Sequence, residues 1–368
     1  MNGDRRGRRR FVALAAAGAG ALACGSPRNG APAVHANRNV QWRLTSSFPR
    51  GLDTLYGSAE VLAERLDAIS GGAFRIRSHP AGEIVPGLQV LDAVQQGTVQ
   101  VGHTASYYYT GKDPALAFDA GVPFGLTTRQ QLAWLYRGGG LELMNERFAA
   151  FDVVTFPAGS TGTQMGGWFK RPVRSLADLR GLKMRIPGLG GEVMSRLGVT
   201  VQVLAGGDIY PALERGAIDA TEWVGPYDDE KLGFHRVANH YYYPGWWEPG
   251  PTISFYVNRR QWDELPAAHR EMFRTAAAEA AALMTAQYDH VNPPALERLL
   301  EAGVTLDRFP DEIMDAALDA AVDLYEEQAA ADAGYRKLYE AWSKTRRESY
   351  RWFRTAETAY AAFAFPRV

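Results

Sequence analysis

The chain has 368 residues, 46% hydrophobic and 22% charged, with 38 Gly, 20 Pro and a single Cys. This is globular composition: it excludes a disordered, collagen-like or low-complexity protein, and at roughly 150 residues per domain it suggests two domains, each able to bury a core. Net charge is −1, but residues 1–36 hold six arginines against Asp4, so they carry +5 and residues 37–368 carry −6; no basic stripe remains for nucleic acid, and Cys24 alone cannot build a disulfide framework or a Cys-rich metal site.

The chain begins with an address. Arg5 to Arg10 form a basic segment, and Phe11 to Ala23 is an apolar run of 13 residues. A helix needs about 20 residues to span a bilayer, so this run fits a secretory signal. Arg8-Arg9-Arg10-Phe11-Val12 matches the twin-arginine pattern used by substrates that fold before export. Val34-His35-Ala36 suits a cleavage site of small residues, whereas Ala21-Leu22-Ala23-Cys24 is a poor lipobox because its Leu stands one place late. An uncleaved anchor and lipid anchoring at Cys24 are the alternatives. No stretch beyond residue 36 approaches a transmembrane length, so a soluble chain exported to the periplasm is expected.

Thereafter strands and helices alternate. Val40 to Thr45 alternates as a strand, and Thr54 to Ile69 puts Leu55, Ala59, Leu62, Ala63 and Leu66 on one helical face. Strands are expected at Phe74 to Ser78 and Val99 to Thr104, separated by a helix from Leu88 to Gln96. Thr128 to Phe151 reads as a helix broken in two by Gly138-Gly139-Gly140. Strands at Val153 to Phe156, Met165 to Phe169 and Leu182 to Ile186 precede a helix from Gly191 to Leu197 and a strand from Thr200 to Leu204. Such alternation implies α/β domains with mostly parallel sheets. Val90 to Val101 also resembles Ile209 to Ala220: an apolar helix face, a Gly (Gly97, Gly216) able to stop the helix left-handedly, then a strand. That repetition is either two domains of similar build or the ordinary grammar of α/β chains. His235 and His240 fall on a predicted helix, at a spacing awkward for joint ligation. Pro266 to Val291 reads as one helix of about 39 Å, long enough to run along both domains. Asp311 to Tyr325 and Asp332 to Phe363 are further helices. The last holds Tyr335, Tyr339, Trp342, Tyr350, Trp352, Phe353, Tyr360 and Phe363, an aromatic surface that must be covered by the parent domain or by a partner chain.

Catalytic motifs do not emerge. No nucleophile elbow, H-E-x-x-H, P-loop or dinucleotide fingerprint is present, and the seven His are scattered. What stands out are polar and aromatic residues at strand ends, where α/β domains bind ligands. They are Thr104 to Tyr109, Gly162 to Trp168, Lys183 to Gly188, Ala220 to Pro226 and Tyr241 to Gly250. Arg185 offers a fork for a carboxylate, and Glu222 and Glu248 offer hard oxygens for a cation such as Na⁺ or Ca²⁺. The alternative is that Arg185 pairs directly with Glu222 and the aromatics are core.

Several of these runs resemble a known family. Gly206-Gly207-Asp208-Ile209-Tyr210-Pro211-Ala212-Leu213-Glu214, Glu222-Trp223-Val224-Gly225-Pro226-Tyr227-Asp228-Asp229 and Tyr243-Pro244-Gly245-Trp246-Trp247-Glu248 look like the extracytoplasmic solute receptors of TRAP (tripartite ATP-independent periplasmic) transporters. Ala81 to Gln89 and His103 to Tyr109 point to the branch that binds 2-oxo acids such as pyruvate. The resemblance runs from about Val40 to Phe363. It implies an α/β, two-lobed, periplasmic-binding-protein-like fold with a long helix spanning both lobes and a helical C-terminus. Lobe I would comprise 37–160, completed by about 252–290, and lobe II 161–251, completed by about 295–330. Residues 331–368 would form a C-terminal helix for homodimerisation. By the same resemblance Arg185 holds the ligand carboxylate. Gln164, Glu222, the carbonyl of Trp223 and Glu248 ligate a cation that bridges to the 2-oxo acid, and Tyr108 and Trp223 wall the pocket, Tyr108 also facing the carboxylate. A related branch carries an amide in place of Glu248. Two carboxylates favour a divalent ion by charge, while the 2-oxo acid branch is associated with Na⁺. The implied function is capture by lobe closure and delivery to a membrane permease. The other readings are a receptor for lactate or another 2-hydroxy or sugar acid, a signalling receptor's subunit, and a periplasmic enzyme acting on carboxylates.

Overall fold

The computed structural model describes residues 39–367; the export segment, its cleavage site and Cys24 lie outside them. Strands β1 (Val40–Ser46), β2 (Phe74–His79), β3 (Val101–Thr104) and β4 (Val153–Ser160) build most of one sheet. Strands β5 (Trp168–Phe169), β6 (Lys183–Arg185), β7 (Thr200–Gln202), β8 (Ala220–Thr221) and β9 (His240–Tyr243) build most of a second. Then β10 (Thr252–Asn258) returns to the first sheet and β11 (Thr305–Arg308) to the second. The orders are β2-β1-β3-β10-β4 and β11-β9-β5-β8-β6-β7. Each sheet is parallel except for one strand: β10 runs against β3 and β4, and β5 against β8 and β9. Both reversed strands are those by which the chain passes from one lobe into the other.

The two crossovers run side by side. Gly245 N–H donates to the Gln164 carbonyl (3.0 Å), Gln164 N–H to the Glu248 carbonyl (3.2 Å) and the Thr163 hydroxyl to the Pro249 carbonyl (2.8 Å). A Cβ on Gly245 would stand 2.4 Å from the Gln164 carbonyl oxygen, so this approach admits only glycine. Thr161 and Gln164 bond to the other crossover, while Met165 N–H donates to the Val224 carbonyl (3.1 Å) and Gly166 N–H to the Tyr242 carbonyl (2.6 Å); the regular ladder of the strand expected at Met165 to Phe169 is confined to Trp168–Phe169.

Each sheet is covered by helices whose apolar faces follow from their spacing. Leu55, Ala59, Leu62 and Leu66 of the helix Asp53–Ile69 are buried. The break at Gly138 to Gly140 is observed between helices Thr128–Arg137 and Gly140–Phe148, with Gly139 at φ +77°. The internal repeat is structural: Gly97 and Gly216 both adopt φ +72°, each between a helix and a strand, β3 in the first sheet and β8 in the second.

Two expectations need correction. His240 opens strand β9, where its Nδ1 lies 2.8 Å from Asp307 Oδ2 on β11, and His235 sits on a 3₁₀ turn; the two do not share a helix. The long helix runs from Ala267 to Glu301, about 52 Å at 1.5 Å per residue, through Pro293 and Pro294. Both prolines are exposed, as are Asp289 and His290, whose carbonyls lose their helical donors there and can be met by water. Tyr288 and Leu299 on its buried side hold the helix together across the proline pair. Its first half packs on the helix Asp53–Ile69 and β4, and its second half on the helix Pro226–Leu232.

The helix Asp311–Ala331 pairs with the second lobe through Arg196 and Glu327, and the helix Ala333–Phe353 then crosses to the first, where Tyr335 and Trp342 meet Phe118. The aromatic surface of this segment divides. Tyr335, Leu338 and Trp342 are buried, whereas Trp352, Tyr360, Phe363 and Phe365 are 62–72% exposed. No helix among the described residues is long and apolar enough to cross a membrane.

Candidate functional site

Parallel register creates the centre of the site. Strands β6 and β8 are neighbours, with Arg185 opposite Thr221, so Arg185 and Glu222 emerge together at adjacent carboxyl ends. The Glu222 N–H donates to the Arg185 carbonyl (3.2 Å), and Arg185 Nη1 donates to both the Glu222 carbonyl (3.1 Å) and Glu222 Oε1. Arg185 Nε donates to the Leu204 carbonyl at 3.1 Å. Both side chains are about 1% exposed. The pairing that the sequence left open is formed: Glu222 Oε1 is taken by Arg185. Trp223 lies under the guanidinium, whose carbon is 5.1 Å from the ring centroid. Gly206 makes room for that indole, since a Cβ there would stand 2.6 Å from the ring.

A narrow cavity of about 10 Å³ lies beside this pair. The second lobe contributes Arg185, Glu222, Trp223 and Val224 to its walls; the first contributes Phe48, Leu55, Tyr107, Tyr108 and Ile253, with Thr161 at the crossover. The lobes touch here, because a Cβ on Gly188 would stand 2.8 Å from Tyr107 Cβ. Gln164 and Glu248 come from the two crossovers. They are not part of the cavity wall, but both are buried, and Glu248 feels the charges of Glu222 and Arg185 and hydrogen bonds from Tyr107 and Gln164.

Four of the six residues singled out in the sequence carry a buried polar atom with no partner: Arg185 Nη2, Gln164 Oε1, Trp223 Nε1 and Glu248 Oε2. Such atoms cost about 1–3 kcal/mol each when left unmade. The set is chemically specific. The unpartnered guanidinium donor of Arg185 is what a carboxylate completes, and the two oxygen acceptors left open on Gln164 and Glu248 are what a cation completes. The residues present therefore fit a hard cation together with an anionic ligand.

The charges agree. Burial pushes the Glu222 carboxyl up to about 7, although Arg185 draws it down. Burial, followed by the charge of Glu222, holds Glu248 well above the usual carboxylate range despite Arg185. One guanidinium cannot balance two carboxylates plus an incoming third, and a cation would relieve this excess. Burial also raises the phenols of Tyr107 and Tyr108, keeping both as neutral donors.

The strand-end rule located Tyr108, Arg185, Glu222 and Trp223, and the same rule applied to β1 would have found Phe48, two residues beyond Ser46. Tyr107 was adjacent to a residue already named. Leu55 and Ile253 carry no signal, because each looks like ordinary core in its own helix or strand.

Two lobes joined by paired crossovers, with a buried arginine, two buried carboxylates and unpartnered polar atoms between them, have the build of a solute receptor. The chain belongs to DctP, the bacterial extracellular solute-binding protein family 7, whose sequence profile matches residues 46–332. A monocarboxylate 2-oxoacid-binding periplasmic protein of Nostoc sp. is 57% identical over 326 residues, 89% of each chain. A TRAP transporter solute binding protein from Bordetella bronchiseptica has a TM-score of 0.88 and 45% identity, covering 90% of this chain and 98% of that one. It is a mixed occupancy dimer, with a copurified calcium and picolinate bound active site versus an apo site. A TRAP periplasmic solute binding protein from Pseudoalteromonas atlantica, with bound sodium and pyruvate, has a TM-score of 0.86 and 38% identity over 89% of this chain and 99% of that one.

Proposed function

We propose that this chain is the periplasmic receptor of a TRAP transporter, which captures a 2-oxo monocarboxylate of the pyruvate type together with Na⁺ or Ca²⁺ and hands it unchanged to a membrane permease. The observation that carries this reading is the set of unpartnered atoms, Arg185 Nη2, Gln164 Oε1 and Glu248 Oε2, buried at or beside the cavity between the lobes. Arg185 Nη2 donates to the ligand carboxylate, with the neutral Tyr108 hydroxyl as a second donor. Gln164, Glu222, the carbonyl of Trp223 and Glu248 hold the cation. That cation supplies the positive charge which the carboxylates and the 2-oxo oxygen share. The lobes, with the boundaries given above, close over the ligand and exclude water, which strengthens both sets of interactions.

Cavity chemistry supports a monocarboxylate: Arg185 is the one cationic residue in its wall, and Phe48, Leu55, Val224 and Ile253 offer only an apolar surface to the rest of the ligand. The twin-arginine segment supports export to the periplasm. The exposed Trp352, Tyr360, Phe363 and Phe365 support a homodimer through the C-terminal helix.

Thermal unfolding of the mature chain tests the reading, with pyruvate and longer 2-oxo acids in EDTA, Na⁺ or Ca²⁺. A ligand at 100 times its Kd adds about 2.7 kcal/mol, so a cation-dependent rise in Tm with one chain-length optimum is expected. No shift with any 2-oxo acid would overturn the ligand.

A further inference from the structure

Beside the cavity, and outside its wall, an ion pair spans the two lobes. Asp53 opens the helix Asp53–Ile69 of the first lobe, and Lys231 lies in the last turn of the helix Pro226–Leu232 of the second. Lys231 Nζ is 2.5 Å from Asp53 Oδ1, and the Tyr227 hydroxyl donates to Asp53 Oδ2 at 3.1 Å. Lys231 Nζ also sits 4.2 Å from the centroid of the Tyr227 ring. Each charge stands at the helix end whose dipole favours it. Partial burial pushes the Asp53 carboxyl up, but the bonds from Lys231 and Tyr227 outweigh it and hold it below its ordinary value.

The position matters as much as the bonds. Leu55, two residues after Asp53, and Val224, three before Tyr227, are both cavity walls. Separating the lobes to free a ligand on this side therefore moves Asp53 away from Lys231 and Tyr227. We propose that Asp53, Lys231 and Tyr227 form a latch between the lobes beside the site, positioning residues that touch no ligand and set how long a captured one stays. This rests on the receptor reading above. The latch acts on the closed state alone, so it slows release and leaves the encounter with the open cleft unchanged.

Pyruvate with Ca²⁺ is the probe, followed by stopped-flow tryptophan fluorescence. Asp53 is 60% exposed at its side chain, so Asp53→Asn, Lys231→Met and Tyr227→Phe should all fold. An exposed pair of this kind implies release faster by about two- to fivefold in Lys231→Met and Asp53→Asn, less in Tyr227→Phe, with the association rate unchanged. Raising salt should quicken release from the wild type and not from Lys231→Met. The charge-swapped double variant, Asp53→Lys with Lys231→Asp, should recover part of the loss. In the ligand-free protein, hydrogen exchange at the start of the helix Asp53–Ile69 and in the last turn of the helix Pro226–Leu232 should rise in Lys231→Met. Unaltered release together with unaltered exchange would overturn the latch. A wild type that binds pyruvate under no condition would overturn the ligand assignment instead, and the exchange comparison would then decide the latch by itself.

Discussion

Asp229 and Glu248 are two buried acids with opposite surroundings. Asp229 accepts hydrogen bonds from Trp168 Nε1 (2.9 Å), the Tyr241 hydroxyl (2.7 Å) and the Val224 N–H (3.3 Å), and burial raises it to about 6. Glu248 is likewise held well above the usual carboxylate range by burial, and its Oε2 has no donor. Burial alone thus does not mark a binding site. What separates the two is satisfaction: Asp229 is finished by its own chain and locks Trp168 against Tyr241, while Glu248 is left for something the chain does not contain. Asp119 in the first lobe belongs with Asp229, since it accepts from Ser254 (2.7 Å) and Thr155 (3.3 Å).

The comparison is most easily broken at Arg185. Arg185→Ala removes the charged partner of a buried carboxylate, and binding of a 2-oxo acid should weaken by about 2–5 kcal/mol in calorimetry; retained micromolar affinity would dismiss the site. Glu248→Gln and Asp229→Asn should then part company. Glu248→Gln is expected to shift the cation titration by about tenfold or more and to leave the unfolding of the ligand-free chain unharmed. Asp229→Asn turns an amide against two donors, so it should cost about 1–3 kcal/mol of stability without moving the cation titration. If both variants behave alike, the distinction between finished and unfinished acids fails.

A smaller effect sharpens the same contrast through pH. Burial raises Asp119 from 3.8 to about 7 despite its hydrogen bonds, so the fold favours its protonated form. Its contribution to stability is complete below about pH 4 and is lost as pH rises through 7. Urea unfolding of the ligand-free chain should therefore show stability falling from pH 5 to 8, and Asp119→Asn should flatten that slope by up to about 1.4 kcal/mol per pH unit. A slope unchanged in the variant would mean the acid is ionised in the fold. Smallest of all for binding is removal of the chain beyond Arg354. It should leave ligand affinity within about twofold, because no residue there lines the cavity, yet convert the proposed dimer to a monomer in light scattering. A truncated chain that stays dimeric would place the interface elsewhere.

Periodicity, breakers and charge placed most elements of this protein from the sequence by itself: the helix face of Leu55, Ala59, Leu62 and Leu66, the break at Gly138 to Gly140, and the repeated helix-Gly-strand unit around Gly97 and Gly216. These are local properties, fixed by side-chain spacing and backbone freedom within a few residues. The strand-end polar runs were legible for the same reason, and their resemblance to a receptor family named the roles to look for. Tertiary structure decided the rest. Arg185 meets Glu222 because β6 and β8 are parallel neighbours in one register, a relation between residues 37 apart in the chain. The long helix continues through Pro293 and Pro294 because the second lobe holds its far half. Gln164 and Glu248 become neighbours only where the chain crosses between lobes twice, and whether a buried oxygen finds a donor there depends on every segment folded around it.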